Sequence, residues 1–263
     1  MPRAYRLSRP TLTSARAASA AANPETAADL VEALKALADP TRAKNSEWFF
    51  KTGPGEYGHG DTFLGVSVPN TRSLTKRAAA LSSVEIGLLA HSEFHEARLL
   101  AAIAMVRQYE LAERAHDTAE QERLFNQWVQ LLGQNCWNNW DIIDSSAHKV
   151  AGKWLLSRDR SVLFHWVQST DVWHRRAALL TTFWFIYEGD ASTSLQLAAL
   201  VLDDKHDLIH KAAGWMLREV GKRVSTELLH DFLTVHVKQM PRTMLRYAIE
   251  HIPEPQRKAW LAA

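Results

Sequence analysis

The sequence predicts an all-α protein. Apolar residues recur three and four positions apart almost throughout the chain, as in Leu99, Ile103 and Val106, and this is the spacing of one helix face rather than of a strand. Helices that carry tryptophan begin near residues 138, 171 and 206, which are 33 and 35 residues apart. A period in this range is typical of stacked helical hairpins. Identity between the units is weak, so a degenerate HEAT-like solenoid of antiparallel helix pairs fits better than a strict repeat.

Helix-capping residues and prolines indicate the boundaries of the helices. Ser82 and Glu85 have the three-residue spacing of a capping box, and Asp190 can cap the helix that follows it. Pro241 and Pro253 interrupt the C-terminal pattern. The predicted helices are 26–38, 41–51, 70–81, 83–91, 93–113, 118–132, 138–156, 159–168, 171–187, 191–202, 206–221, 225–237, 240–251 and 254–262.

One segment breaks the helical pattern. Residues 53–61 contain four glycines and a proline and predict a loop, and residues 63–69 predict extended chain. The loop is either a connector between two helix pairs or, because it carries Tyr57 and His59, a segment that approaches a ligand closely. It lacks the Gly-Lys-Ser/Thr of a phosphate-binding P-loop.

The length and composition allow one large or two small folded domains, and we expect a single one that follows a basic extension. With 263 residues and 46% hydrophobic content, the chain can bury a sizeable core, which we place at 26–263. The first 23 residues hold four arginines and no acid, so we expect residues 1–25 to be a disordered arm, with a DNA-grazing arm or a mitochondrial transit peptide as alternatives. No membrane-length apolar run or secretory signal occurs, and we expect a cytoplasmic protein without a membrane partner.

The overall charge is only mildly basic. The formal net charge is +2, so an anion-binding surface requires local clustering. Between residues 205 and 246 there are eight lysines or arginines and four acids, a local net charge of 8 − 4 = +4. This cluster is either a solvated helix face or such a surface.

Cysteine and histidine offer little chemistry. Cys136 is the only cysteine, so disulfides within the chain and cysteine-based zinc sites are excluded, and we interpret it as a small buried hydrophobe. The pairs His91 with His95 and His206 with His210 have metal-ligand spacing but no obvious third ligand. We therefore interpret these histidines as surface residues and predict no metal.

Three helical segments place tryptophan beside charge. Trp140 and Asp144 are one turn apart and share a helix face, so a carboxylate is framed by an indole. Taken alone, this segment is also explained by a core tryptophan and an exposed or capping acid. Arg176 follows another arginine, so one of the two can face a ligand, and the planar guanidinium suits phosphate. Trp215 and Arg218 lie in the third segment, within a basic stripe.

The repeat predicts that these segments converge. In a solenoid, equivalent helices of successive repeats line one surface. Trp140, Asp144, Arg176 and Trp215 can therefore meet although they are distant in sequence. Trp137 and Trp173 are assigned to the core.

At these residues the chain resembles the AlkD family of DNA alkylation-repair enzymes, the HEAT-like-repeat DNA glycosylases. The resemblance runs from about Thr26 to the C terminus. Several motifs in order carry it: segment 63–66 with Pro69 and Arg72, segment 140–144, Trp173 with Arg175 and Arg176, segment 211–219, and segment 241–248.

The resemblance implies a right-handed superhelical solenoid whose concave basic face holds duplex DNA. It further implies hydrolytic removal of cationic alkylpurines such as 3-methyladenine and 7-methylguanine, without extrusion of the base and without a cofactor, by a monomer. Residue by residue, Asp144 would be the catalytic carboxylate, Trp140 and Trp215 the aromatic walls, and Arg176 the arginine that binds the DNA backbone. Further candidates for DNA contact are Lys211, Arg218, Arg242, Arg246 and, as the residue that frames the lesion, Tyr57.

Two other functions remain open from sequence. One is a catalytically silent repeat protein that binds branched or distorted DNA, with steep salt dependence and no base release. The other is a helical-repeat scaffold for proteins, which predicts an acidic or apolar face in place of a basic one.

Overall fold

The structure is a computed structural model that describes residues 25–263, and it is all-helical, as predicted. The basic arm expected at 1–25 lies outside the described residues except for its last position. The helices are α1 (Ala27–Lys35), α2 (Pro40–Phe49), α3 (Val68–Ser73), α4 (Thr75–Ala78), α5 (Ser83–Ala90), α6 (His95–Arg114), α7 (Thr118–Gly133), α8 (Trp140–Ala147), α9 (Lys153–Leu155), α10 (Ser161–Trp166), α11 (Val172–Tyr187), α12 (Ser192–Leu200), α13 (Asp207–Arg223), α14 (Thr226–His236), α15 (Arg242–Ala248) and α16 (Glu254–Ala262).

One row of helices carries the fold. Helix α6 packs on α8, α8 on α11, α11 on α13, and α13 on α15. A second row covers the first: α7 packs on α6, α10 and α12 on α11, and α14 on α13. The last four helices of the first row begin at residues 140, 172, 207 and 242, at spacings of 32, 35 and 35 residues. This is the architecture of an α-solenoid of helix pairs, and it places the tryptophan-bearing helices side by side.

Helix α8 continues through a π-helical turn. It begins at Trp140 rather than at 138, because the Asn139 side chain accepts a hydrogen bond from the Trp140 backbone N–H at 2.9 Å and caps the helix. A π-helical turn, His148–Gly152, joins α8 to α9. Such turns are frequent next to functional sites.

The core beneath α8 is closed by two tryptophans. Trp137 is fully buried and donates its indole N–H to the Trp128 carbonyl at 3.0 Å. Trp128 donates in turn to Ser146 Oγ at 3.0 Å, so both buried indoles are satisfied and α7 is fixed to α8. Cys136 is buried beside them, as expected. None of the described helices is long and apolar enough to cross a membrane.

A buried carboxylate holds the extended segment after the glycine-rich loop. Glu96, near the start of α6, accepts hydrogen bonds from the backbone N–H groups of residues 64, 65 and 66 at 3.0, 2.8 and 3.1 Å. Gly65 has a φ of 78°, and a Cβ at this position would lie 2.1 Å from the Asp39 carbonyl oxygen. Only glycine fits there, and the segment thereby packs against the start of α2. The segment ends at residue 67 rather than at the predicted residue 69, because α3 begins at Val68.

Some predicted boundaries are wrong. The helix predicted over 70–81 is two short helices, α3 and α4, that meet at Leu74. The capping box is half formed: Ser82 Oγ accepts from the Glu85 backbone N–H at 3.3 Å, but the Glu85 carboxylate accepts from the Ala27 backbone N–H at 2.6 Å. The reciprocal bond is lost because that carboxylate satisfies the start of α1 instead.

We predict that Gly214→Ala destabilises the protein by about 1–3 kcal/mol, the usual cost of overpacking. A Cβ at Gly214 on α13 would lie 2.4 Å from the Met244 carbonyl oxygen and 2.6 Å from Tyr247 Cβ on α15. Urea unfolding measures the change. The control is Gly87→Ala in α5, where the Cβ meets open space and a gain of about 0.5–1 kcal/mol is expected. A Gly214→Ala variant as stable as the wild type would contradict the close packing of α13 on α15.

Candidate active site

One cleft gathers the residues that the sequence predicted to converge. Its volume is about 510 Å³, and α2, the 53–61 loop, α8, α11, α13 and α15 all contribute to it. Trp140, Asp144, Arg176 and Trp215 all line this cleft, and Tyr57 and Lys211 line it with them. The remaining lining residues are Phe49, Lys51, His206, Asp207, Leu208 and Tyr247.

Asp144 and Arg176 form a bidentate ion pair in the lining of the cleft. Arg176 Nε donates to Asp144 Oδ1 at 2.8 Å, and Nη2 donates to Oδ2 at 2.7 Å. Arg176 Nη1 donates to the Leu208 carbonyl at 2.6 Å, so one guanidinium joins α8, α11 and α13. The Arg176 side chain is 6% exposed and that of Asp144 17%. The arginine that we expected on a DNA phosphate is therefore engaged with the carboxylate.

The electrostatics of Asp144 combine two opposing effects. Burial raises the pKa of the Asp144 carboxyl, and the Arg176 guanidinium opposes that shift because it favours the ionised form. The second carboxylate of α8, Asp141, adds to the upward shift. A bidentate guanidinium both fixes the direction of the two carboxylate oxygens and supports their negative charge.

The two tryptophans of the cleft are held by different neighbours. Trp140 is stacked on Phe50 at 5.4 Å between ring centroids, and Phe49 meets it edge-on at 6.0 Å. Trp215 donates its indole N–H to Glu219 Oε1 at 3.2 Å and packs against Phe183 at 5.7 Å. Both indoles are half-buried, so each keeps part of its ring accessible from the cleft.

Tyr57 brings the glycine-rich loop to the cleft. Its ring meets Trp173 edge-on at 6.1 Å, and burial raises its pKa more than the contact with Trp140 and the nearby cation Lys211 lower it. Of the two interpretations of the loop, the structure favours a segment that faces the cleft. Trp173 is buried, as expected, and supports Tyr57 from below.

The remaining cationic candidates do not converge. Lys211 lines the cleft and pairs with Asp207 at 2.8 Å. Arg218, Arg242 and Arg246 lie outside the lining. Arg218 pairs with Glu219 and Glu250, and Arg242 donates to the Leu261 carbonyl at 2.9 Å. Arg246 is exposed. Of the eight cations counted between residues 205 and 246, three form ion pairs: Lys211, Arg218 and Arg223.

The interpretation of His95 as a surface histidine is wrong. Its side chain is 2% exposed, with Nδ1 3.3 Å from Asp61 Oδ2 and Nε2 2.9 Å from Asp141 Oδ2. The two carboxylates outweigh the effect of burial and raise its pKa to about 9, so the imidazolium is the stable form at neutral pH. Asp61 also accepts from Asn139 Nδ2 at 2.9 Å and pairs with Arg98. The cluster joins the end of the loop to the start of α8.

The other histidines have local roles. His206 Nδ1 accepts from the Leu208 backbone N–H at 3.2 Å and caps α13, and His210 Nε2 lies 2.6 Å from the Asp204 carbonyl. Within residues 25–263, no group of three or more His, Cys, Asp or Glu side chains is arranged to hold a metal ion.

A second cleft of about 500 Å³ adjoins the first. Phe49, Trp140 and Asp144 line both clefts, and His148 lines only the second. His148 lies in the π-helical turn, and burial lowers its pKa to about 4, so its ring is neutral at physiological pH. Arg72 and Lys149 also line this cleft, and neither forms an ion pair within residues 25–263.

Sequence analysis missed the aromatic pair Phe49 and Phe50 and the buried cluster around His95. A signal for the cluster exists: His95, Glu96 and Arg98 are polar residues in the first turn of a long helix rich in apolar residues, where burial requires partners. The signal for Phe49 and Phe50 is weaker, because α2 has no buried residue and so no apolar face to predict from.

Comparison with known proteins agrees with this arrangement of helices around an aromatic and acidic cleft. The sequence profile of the family described as DNA alkylation repair enzyme matches residues 30–252. A solved structure described as a predicted DNA alkylation repair enzyme from Enterococcus faecalis superposes with a TM-score of 0.63 over 82% of this chain and 97% of that chain. At 16% identity, this likeness shows the fold alone. No curated protein matches the sequence significantly.

The fold and cleft thus define an α-solenoid with a carboxylate set among tryptophans. The chain belongs to the family of DNA alkylation repair enzymes, because the family profile matches most of its length. Membership gives it a role in the repair of alkylated DNA.

We predict that Arg176→Met destabilises the fold by about 3–5 kcal/mol, because it leaves the Asp144 carboxylate buried without a partner. The double variant Asp144→Leu with Arg176→Met removes both charges, and its free energy of unfolding is expected to lie much closer to the wild type. Urea unfolding of the wild type, Asp144→Leu, Arg176→Met and the double variant gives the four free energies of a double-mutant cycle. If the two single losses simply add in the double variant, the ion pair is absent.

Proposed function

We propose that this protein is a monofunctional DNA glycosylase that hydrolyses the N-glycosidic bond of cationic alkylated purines in duplex DNA. The substrate class is represented by 3-methyladenine and 7-methylguanine. Water replaces the base at the sugar carbon, and the base leaves without first being extruded from the duplex. The observation that carries the proposal is a fixed carboxylate, Asp144, in a cleft whose walls include Trp140 and Trp215. The family match supports the repair of alkylated DNA, and the finer assignment rests on this cleft.

The leaving purine requires little assistance from the enzyme. A purine alkylated on a ring nitrogen carries a positive charge and departs as a neutral base, so no strong general acid is needed. As the glycosidic bond breaks, positive charge develops on the deoxyribose. A preorganised carboxylate aimed at that charge stabilises the transition state more than the ground state. Asp144 has this property because Arg176 fixes both of its oxygens.

Aromatic faces add to the stabilisation. A cation within reach of an indole face gains about 0.5–2 kcal/mol, more where water is excluded. Trp140 and Trp215 are both half-buried and both anchored, the first by Phe50 and the second by Glu219. We assign them to the cationic lesion and to the sugar, with Tyr57 as a third aromatic group at the rim.

The lysines of the cleft favour hydrolysis by water over a covalent mechanism. A lysine that attacks the sugar must be neutral, which requires a lowered pKa. The ion pair with Asp207 raises the pKa of Lys211 instead. Lys51, the other lysine in the lining, lies 4.0 Å from Glu56. We therefore propose release of the base without a Schiff base and without strand cleavage.

The contacts to DNA are part of the same proposal. We assign Lys211 and Arg246 to the phosphate backbone, and Arg218 and Arg242 to contacts that require their present partners to be exchanged. Arg176 is assigned first to holding Asp144, because a phosphate contact would require it to release that carboxylate. The enzyme acts as a monomer, without a cofactor, in the cytoplasm, where it associates with the nucleoid through DNA.

We predict that purified protein releases free 7-methylguanine from methylated duplex DNA and that Asp144→Asn lowers the single-turnover rate at least about a hundredfold. That range is the usual effect of removing one preorganised electrostatic group. Chromatography of released base gives the rate, and circular dichroism shows that the variant is folded. The control is Asp203→Asn, which neutralises an exposed carboxylate outside the cleft and is expected to act like the wild type.

The outcomes separate the two DNA-directed functions. Base release by the wild type that is lost in Asp144→Asn supports the glycosylase. A wild type that binds branched or bent DNA with steep salt dependence and releases no base identifies the silent binding protein instead. An Asp144→Asn variant with the wild-type rate contradicts the role of this carboxylate.

A further inference from the structure

His95 lies behind the cleft and contacts residues from two of its walls. It is the first residue of α6, and each ring nitrogen faces a carboxylate: Nδ1 that of Asp61 at 3.3 Å and Nε2 that of Asp141 at 2.9 Å. Neutral imidazole has one N–H, so only the imidazolium donates to both. A buried charge of this kind persists when its partners are satisfied on both sides.

Each of the two carboxylates belongs to a different wall of the cleft. Asp61 ends the loop that presents Tyr57, and Asp141 follows Trp140 and precedes Asp144 by one turn of α8. The loop and α8 come from distant parts of the sequence. They meet directly where Asp61 accepts from Asn139, the cap of α8, and the imidazolium bonds to a carboxylate of each. Removing its charge leaves two carboxylates facing each other across a neutral ring.

The ring of His95 is also in contact with the aromatic support of Trp140. It packs on Phe63 at 4.6 Å and on Phe50 at 4.8 Å, and Phe50 stacks on Phe63 at 5.0 Å. Phe50 then stacks on Trp140. The orientation of the Trp140 indole therefore depends on His95 by two routes, one through Asp141 and one through Phe50.

We propose that His95 is a positioning residue of the cleft, whose imidazolium holds Trp140 and Asp144 through Asp141 and the Tyr57 loop through Asp61. Its bearing on catalysis rests on the proposed glycosylase function, whereas its hold on Trp140 and the loop does not. The charged groups that face His95 are Asp61 from the loop, Asp141 from α8, and Arg98 from its own helix, which pairs with Asp61. From the side of α2 the neighbour is the uncharged ring of Phe50.

The first test is spectroscopic and needs no activity. The indole N–H signal of Trp140, assigned by its absence in Trp140→Phe, is followed by NMR from pH 7 to 10. We expect it to shift with a midpoint near 9, where the His95 imidazolium loses its proton, and to be insensitive to pH over this range in His95→Gln. In Asp141→Asn, which keeps His95 but removes one carboxylate, the midpoint moves to lower pH. A Trp140 signal that does not respond to His95 overturns the proposal.

The second test measures base release under single-turnover conditions at saturating enzyme. Loss of a residue that orients a functional side chain commonly lowers activity about ten- to a hundredfold. We therefore expect His95→Gln to release 7-methylguanine about ten- to a hundredfold more slowly at pH 7. Its affinity for the duplex is expected to stay within about threefold of the wild type. The wild-type rate falls as the pH rises through about 9, and that of His95→Gln does not. His251→Gln, an exposed histidine far along the chain, is the matched control and keeps the wild-type rate and profile.

The outcomes are distinguishable. A His95→Gln variant with the wild-type rate, or with a loss that is the same at every pH because the wild type shows no alkaline fall, overturns the positioning role. If His95→Gln does not fold, Asp141→Asn supplies the same comparison through the shifted midpoint. If the wild type releases no base but its Trp140 signal follows His95, the glycosylase proposal fails and the hold of His95 on the cleft stands.

Discussion

The ion pair between Asp144 and Arg176 is the contact on which the rest of the cleft depends. It crosses from α8 to α11, and the third donor of the guanidinium reaches the Leu208 carbonyl at the start of α13. Three consecutive helices of the first row, α8, α11 and α13, are thus joined at one buried point. Burying two charges costs desolvation free energy, and a well-packed apolar pair would stabilise the fold as much or more. What the ion pair gives in addition is a carboxylate with fixed direction and sustained charge.

The same device recurs around the cleft. Glu219 is buried, receives Arg218 and Arg223, and uses the same carboxylate to accept the indole N–H of Trp215. The imidazolium of His95 acts on Trp140 less directly, because it packs on Phe50 and Phe50 stacks on Trp140. Trp215 is therefore hydrogen-bonded to a buried ionic group, and Trp140 is separated from one by a single aromatic ring. Such networks restrict the orientation of a large ring more strongly than apolar packing alone, because their hydrogen bonds are directional. A cleft that must meet a developing charge on one sugar benefits from walls that do not reorganise.

The sequence was sufficient for the architecture and for the meeting of the four central residues. Helical periodicity and the 33- to 35-residue spacing predict helix pairs, and equivalent positions of successive pairs face the same side. Trp140, Asp144, Arg176 and Trp215 converge for that reason. Their partners could not be predicted, because the choice between a phosphate and a carboxylate for Arg176 depends on how α8 docks on α11 at the scale of one hydrogen bond.

The surroundings of the glycine-rich loop and the pairing of the cations could not be predicted from sequence patterns. Helix α2 has no buried residue and therefore no apolar periodicity in its sequence. The support that Phe49 and the following Phe50 give to the cleft could not be predicted from it. The burial of His95 depends on two carboxylates more than thirty residues away on either side. The positive charge of the C-terminal segment was counted correctly, but ion pairs such as Arg218 with Glu250 form only when the helices pack. The count over residues 205–246 therefore missed Glu250, an acid outside the counted range that pairs with Arg218 in the folded protein.

The most direct test of the central claim asks whether Asp144 serves a cation in the cleft. It compares the affinity of the protein for two duplexes that carry a single abasic analogue, one with a protonated pyrrolidine ring and one with the neutral tetrahydrofuran ring. A mimic of the developing charge should bind more tightly than its neutral counterpart. We predict a preference of at least about tenfold for the cationic duplex, and loss of that preference in Asp144→Asn. Equal affinity of the wild type for the two duplexes would contradict it.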